Sequence, residues 1–138
     1  MKQNLFWLGI ILLIAACSTQ KGLVTVKSNI GESSVDDSLE YALETFDGKF
    51  ESWYQLHNSP AMYRSQQYYE NWNRQYVSAW NYNAMSGRKN SFFEPIVGYE
   101  FNVDYGIEIN HELFYYFQYV EQVLKIQIMP GGPRAVIF

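Results

Sequence analysis

A chain of 138 residues has room for one small domain, and a hydrophobic content of 48% against only 17% charged residues excludes a disordered acidic or basic polymer. The formal net charge is −4 and the ten Lys and Arg are scattered, which argues against nucleic acid as a partner. A single cysteine excludes an intramolecular disulfide and a cysteine-built zinc site, and an aromatic content of 18%, led by 12 Tyr, is well above ordinary usage.

The first element is a leader. Lys2 supplies a positive charge, Leu5 to Ala16 is apolar with only Gly9 interrupting it, and Ile14-Ala15-Ala16 sets small residues directly before Cys17. The apolar run falls well short of the ~20 residues that a membrane-spanning helix needs, so cleavage is expected. Ile14-Ala15-Ala16-Cys17 looks like the lipobox of bacterial lipoproteins, whose cysteine receives long acyl chains such as palmitate. Residues 1–16 are therefore read as a lipoprotein signal peptide and Cys17 as the lipidated residue that holds the chain to a membrane. Ser18 stands where lipoproteins retained in the inner membrane typically carry Asp, and no acidic export cluster follows. The expected location is the periplasmic face of the outer membrane.

Ser, Thr, Gly, Lys and Asp dominate the stretch after the cysteine, broken by one alternating patch at Leu23-Val24-Thr25-Val26. Residues 17–37 are expected to be a flexible tether, which as a random coil would reach roughly 25 Å. A single compact domain is expected over 38–138.

Leu39, Tyr41 and Leu43 alternate with Glu40, Ala42 and Glu44 and predict a strand, followed by a turn at Asp47-Gly48. Phe50, Trp53 and His57 predict a short helix that stops at Asn58-Ser59-Pro60. Ser65 is placed to cap a longer helix reaching about Met85, with Gly87 as its stop. Tyr69, Trp72, Tyr76, Trp80 and Ala84 draw an aromatic stripe along it, expected to be core, with a partly exposed binding face as the alternative. Residues 88–106, interrupted by Pro95 and Gly98, read as a loop with a brief strand at Tyr99–Val103. Ile109, Leu113, Phe117 or Tyr116, Val120 and Leu124 predict a second long amphipathic helix over about 107–124, ended by Met129-Pro130-Gly131-Gly132-Pro133. The expected fold class is α+β: two long helices, one short helix and one or two short strands.

Chemistry is harder to find. Glu108 and His111 have E-x-x-H spacing on a helix, but the di-metal bundles that use this spacing need a second copy. No metal and no cofactor are expected, and the pair is read as part of a solvated face. No activated Ser or Cys appears, and the carboxylates Glu70, Glu94, Asp104 and Glu108 pair only on paper.

Ser38-Leu39-Glu40-Tyr41, the run Tyr63 to Asn71, Tyr76-Val77, Trp80-Asn81 and Asp104-Tyr105-Gly106 with Glu108 and Asn110 form an ordered series of short blocks. Together with the lipobox, over roughly residues 38 to 122, they resemble an uncharacterised family of short Bacteroidota lipoproteins containing a domain of unknown function. The resemblance implies a lipoprotein with one compact domain and an aromatic residue at the position of His111; it brings no activity. It singles out Trp80, Asn81, Asp104, Tyr105, Glu108 and Asn110 as candidate contacts with a ligand or partner. The expected role is a non-enzymatic structural or protein-interaction module of the envelope. The alternatives are a glycan- or peptide-binding module using exposed Tyr and Trp, and a hydrolase using Asp104 and Glu108.

Overall fold

Ser65 and Gly87 bound the longest helix for the reasons their chemistry suggests. The Ser65 hydroxyl accepts from the Tyr68 N–H at 3.2 Å, and Gly87 closes the helix at a φ of 58°, in the left-handed region that a residue without Cβ enters freely. The computed structural model describes residues 20–29, 40–87 and 92–134. The expected signal peptide, Cys17, residues 30–39 and the tail 135–138 lie outside the described residues.

The elements in chain order are β1 (Thr25–Asn29), β2 (Glu40–Glu44), α1 (Gly48–His57), a single 3₁₀ turn (Pro60–Met62), α2 (Gln66–Ser86) and α3 (Gly106–Gln122). The fold is a small α+β domain in which three helices pack beside a two-stranded antiparallel sheet, with Val26 opposite Leu43. Asp47 opens α1, its Oδ1 accepting from the backbone N–H of Lys49 and Phe50.

Ring contacts fix the helix directions. Tyr69 meets His111, Tyr76 meets Phe114 and Trp80 meets Phe117, so α2 and α3 run parallel. Phe50 meets Tyr119 while Tyr54 meets His111, so α1 runs antiparallel to α3. One end of the domain thus gathers the start of α1 and the ends of α2 and α3; the other gathers the 3₁₀ turn, the start of α2 and the start of α3. From Ile109 to Val120 every residue of α3 except Glu112 is buried, so this helix is enclosed on all sides rather than on one stripe.

Parallel neighbours cannot be joined by a tight turn. The chain must return along the whole length of α2, and the crossover described over residues 92–105 does this without helix or strand of its own. The brief strand expected at Tyr99–Val103 is not formed. The extended pairing occurs earlier, at Phe93 and Val97, and the chain then turns at Gly98 with a φ of 82°. A Cβ on Gly98 would collide with the carbonyl oxygen of Val26, so the close approach and the dihedral both require glycine.

The tether is corrected over residues 20–29. Gly22 N–H donates to Phe92 O at 2.7 Å, Val97 N–H to Val24 O at 3.1 Å and Val26 N–H to Val97 O at 2.8 Å. On its other side β1 pairs with β2, so this segment is the middle of the layer. Val24 and Val26 are buried, and Gly22 lies so close to the indole of Trp80 that a Cβ would sit 2.6 Å from it. The polar composition hid a strand whose hydrogen-bonding partners lie far along the chain.

α3 stops at Gln122, ahead of the Pro-Gly run. Lys125 takes a φ of 59° and Ile126 N–H reaches back to Val120 O. Glu121 Oε1 then accepts from the N–H groups of both Ile128 and Met129, and Asn83 Nδ2 donates to Ile128 O, which binds the following segment across the ends of α2 and α3.

Candidate functional site

The six candidate contact residues come together around the crossover, but three of them are buried. Trp80 is fully buried and its Nε1–H donates to Glu94 O at 2.6 Å. Asn81 Oδ1 accepts from Ile96 N–H at 2.9 Å. The Tyr105 hydroxyl donates to Gly98 O at 2.9 Å and accepts from Glu100 N–H at 2.7 Å. Asn110 is buried and bonded at both amide atoms: its Oδ1 accepts from the Tyr99 hydroxyl at 2.7 Å and from Asn73 Nδ2, and its own Nδ2 donates to Gly106 O. Trp80, Tyr105 and Asn110 are therefore corrected from contact residues to clamps, because side chains excluded from solvent cannot meet a partner. They hydrogen-bond the crossover, directly or through Tyr99, where it has no ladder of its own. Asp104 and Glu108 are exposed.

An open cleft of about 350 Å³ lies where the crossover reaches the start of α2. Gln66, Glu70 and Arg74 line it from α2, and Tyr99, Phe101 and Asp104 from the crossover. Gln66 Nε2 donates to Glu70 Oε1 at 2.8 Å and to Asp104 Oδ1 at 2.7 Å, bridging two carboxylates from distant parts of the chain. Asp104 Oδ1 also accepts from Gly106 N–H at the start of α3, and Arg74 donates to Phe101 O. Burial pushes the Tyr99 phenol up to about 12, so it remains a neutral donor. Glu108 does not line this cleft.

The E-x-x-H pair also separates. Glu108 points to solvent while His111 is fully buried, which corrects its placement on a solvated face. Its ring stacks on Tyr63 at 3.9 Å, lies 4.1 Å from Tyr115 and meets Tyr69 edge-on at 5.0 Å. Nδ1 is 2.8 Å from the Tyr54 hydroxyl, and Nε2 has no hydrogen-bond partner among the described residues. Burial lowers the imidazolium pKa to about 4, so the ring is a neutral aromatic at neutral pH. An aromatic box is where the aromatic residue implied by the family resemblance would fit. Among the described residues no three His, Cys, Asp or Glu side chains converge to hold a metal.

The stripe on α2 is core: Tyr69, Tyr76 and Trp80 are buried and Trp72 is partly covered. That removes it as a binding face. Asn73 was missed, although it lies four residues after Tyr69 and three before Tyr76, at the centre of the same stripe; helical spacing alone would have marked it as inward. Arg74 and Gln66 carried no such signal, because the cleft they line exists only once the crossover is laid against α2.

No curated protein and no solved structure matches the chain. A family model described as a family of unknown function (DUF6146) matches residues 5–130, and the chain therefore belongs to that family.

Proposed function

We propose that the protein is an envelope lipoprotein, anchored through lipid on Cys17 at the periplasmic face of the outer membrane, whose domain acts as a non-enzymatic structural or protein-interaction module. The observation that carries this reading is the order of Lys2, the apolar run and Ile14-Ala15-Ala16-Cys17. The family match begins at residue 5, the first residue of that run, so the apolar run and the cysteine fall within the matched region. Two or more long acyl chains, at ~0.8 kcal/mol per buried methylene, make attachment effectively stable.

The burial of the aromatic stripe favours a module over a glycan platform, and Glu108 does not line the cleft that holds Asp104. The cleft of Gln66, Glu70, Arg74 and Asp104 is the polar, open surface that such a module offers to a partner. Incorporation of an alkyne-labelled fatty acid tests the anchor: wild-type chain should be labelled and sediment with membranes, and Cys17→Ser should do neither. Label retained by the Ser variant would refute the assignment. Affinity capture of the lipidated chain, with Arg74→Ala as a control, tests the module; a partner whose recovery depends on Arg74 is expected, and recovery of none would count against it.

A further inference from the structure

With the tether corrected, the distance between anchor and domain changes. Gln20 Nε2 donates to Asp47 Oδ2 at 2.8 Å, and two residues later Gly22 is fastened to Phe92. Only three Cα–Cα steps separate Gln20 from Cys17, a span of at most ~11 Å. A lipid on Cys17 therefore enters the bilayer beside the corner of the domain where Asp47 starts α1.

That corner carries an unusual side chain. Phe46 adopts a φ of 52°, a left-handed conformation that is an outlier for a bulky residue, and it is 71% exposed. Its neighbours Thr45 and Asp47 are both buried, so the turn is held from either side and the ring is thrown outward. No ring contact of Phe46 is formed among the described residues, and Lys49, three residues on, is exposed. An aromatic ring and a cation on the same short stretch suit the boundary between headgroups and acyl chains.

We propose that this end of the domain rests on the bilayer, with Phe46 inserted at the headgroup boundary, so that the cleft of Gln66, Arg74 and Asp104 at the opposite end faces away from the membrane. The proposal rests on the lipoprotein reading and adds the orientation of the domain. The full chain, purified with its lipid, has its Cys17 sulfur blocked as a thioether, so Phe46→Cys or Met62→Cys supplies the free thiol for a nitroxide label. Met62 is the control because it is 67% exposed and sits in the 3₁₀ turn at the opposite end.

In vesicles of phosphatidylethanolamine and phosphatidylglycerol, the label at 46 should be several-fold more accessible to oxygen, relative to a water-soluble nickel reagent, than the label at 62. Equal aqueous accessibility at both positions, on a chain whose Cys17 lipid is verified by mass spectrometry, would overturn the proposal and leave the lipoprotein reading standing. A Cys17 found without lipid would overturn both. Phe46→Asn, which tolerates the left-handed turn, should keep or raise the melting temperature; a marked fall would show that the ring serves the fold and would also overturn the proposal.

Discussion

α2 and the crossover that follows it run side by side over much of the same length, yet they are held by opposite means. α2 satisfies its backbone internally, opens on Ser65, stops at Gly87 and buries one face. The crossover over 92–105 satisfies few of its backbone groups locally and takes its support from β1 and from Trp80, Asn81, Arg74 and Tyr105. A helix can lose one contact and remain a helix. A segment without a ladder depends on each side chain that holds it, and several residues that carry the family resemblance perform that task. Residues that carry a resemblance therefore need not mark a ligand site; here Trp80, Asn81 and Tyr105 help maintain a parallel pair of helices that the chain has no short way to connect.

The comparison is broken most severely at Trp80. Trp80→Ala removes a fully buried indole and the bond to Glu94 O together, and should cost ~3–5 kcal/mol by urea unfolding. The loss should appear first in the crossover, as faster amide exchange at Ile96 and Val97 while the first turns of α2 stay protected.

Acid separates the two regions differently. His111 lies among helices, and its folded pKa is lowered by burial from 6.5 to about 4, so the unfolded chain binds the proton more readily. This group leaves stability intact above about pH 6.5, removes it progressively as pH falls toward 4, and changes nothing further below that. The full effect is on the order of 3 kcal/mol. The Trp80, Asn81 and Tyr105 clamps do not change charge in this window. His111→Phe should flatten the difference in unfolding free energy between pH 7 and pH 4.5; an unchanged slope would mean that other groups set it.

Asn110 joins the two regions, since it holds Tyr99 of the crossover and Asn73 of α2 at once. Asn110→Ala strands the Tyr99 hydroxyl and removes the longer of two contacts from Asn73 Nδ2, whose 2.9 Å bond to the Asn110 main-chain oxygen remains, and should cost about 2 kcal/mol, with Asn73→Ala in the same background adding less than it does alone. The smallest effect belongs to the helix itself. Ser65→Ala removes one cap and should cost about 1 kcal/mol without altering exchange in the crossover.

Much of the helical framework is readable from neighbouring residues. Ser65, Gly87 and the spacing of Tyr69, Tyr76 and Trp80 define α2; Asp47 starts α1; Tyr41 and Leu43 are two apart, as one face of β2 requires. These signals survive because caps and periodicities are formed by residues within a few positions of one another. The cleft was not readable, since Gln66 and Asp104 stand 38 positions apart and meet only through the crossover.

The sequence by itself determined the existence of the long helices, the limits of α2 and the α+β class. Only the tertiary structure decided that α2 and α3 are parallel, that α3 is enclosed on every side, that His111 belongs to an aromatic box and that residues 22–29 belong to the sheet layer. The physical reason is the same in each case: these features depend on hydrogen bonds and ring contacts between distant segments, and no local pattern records which distant segment will be there.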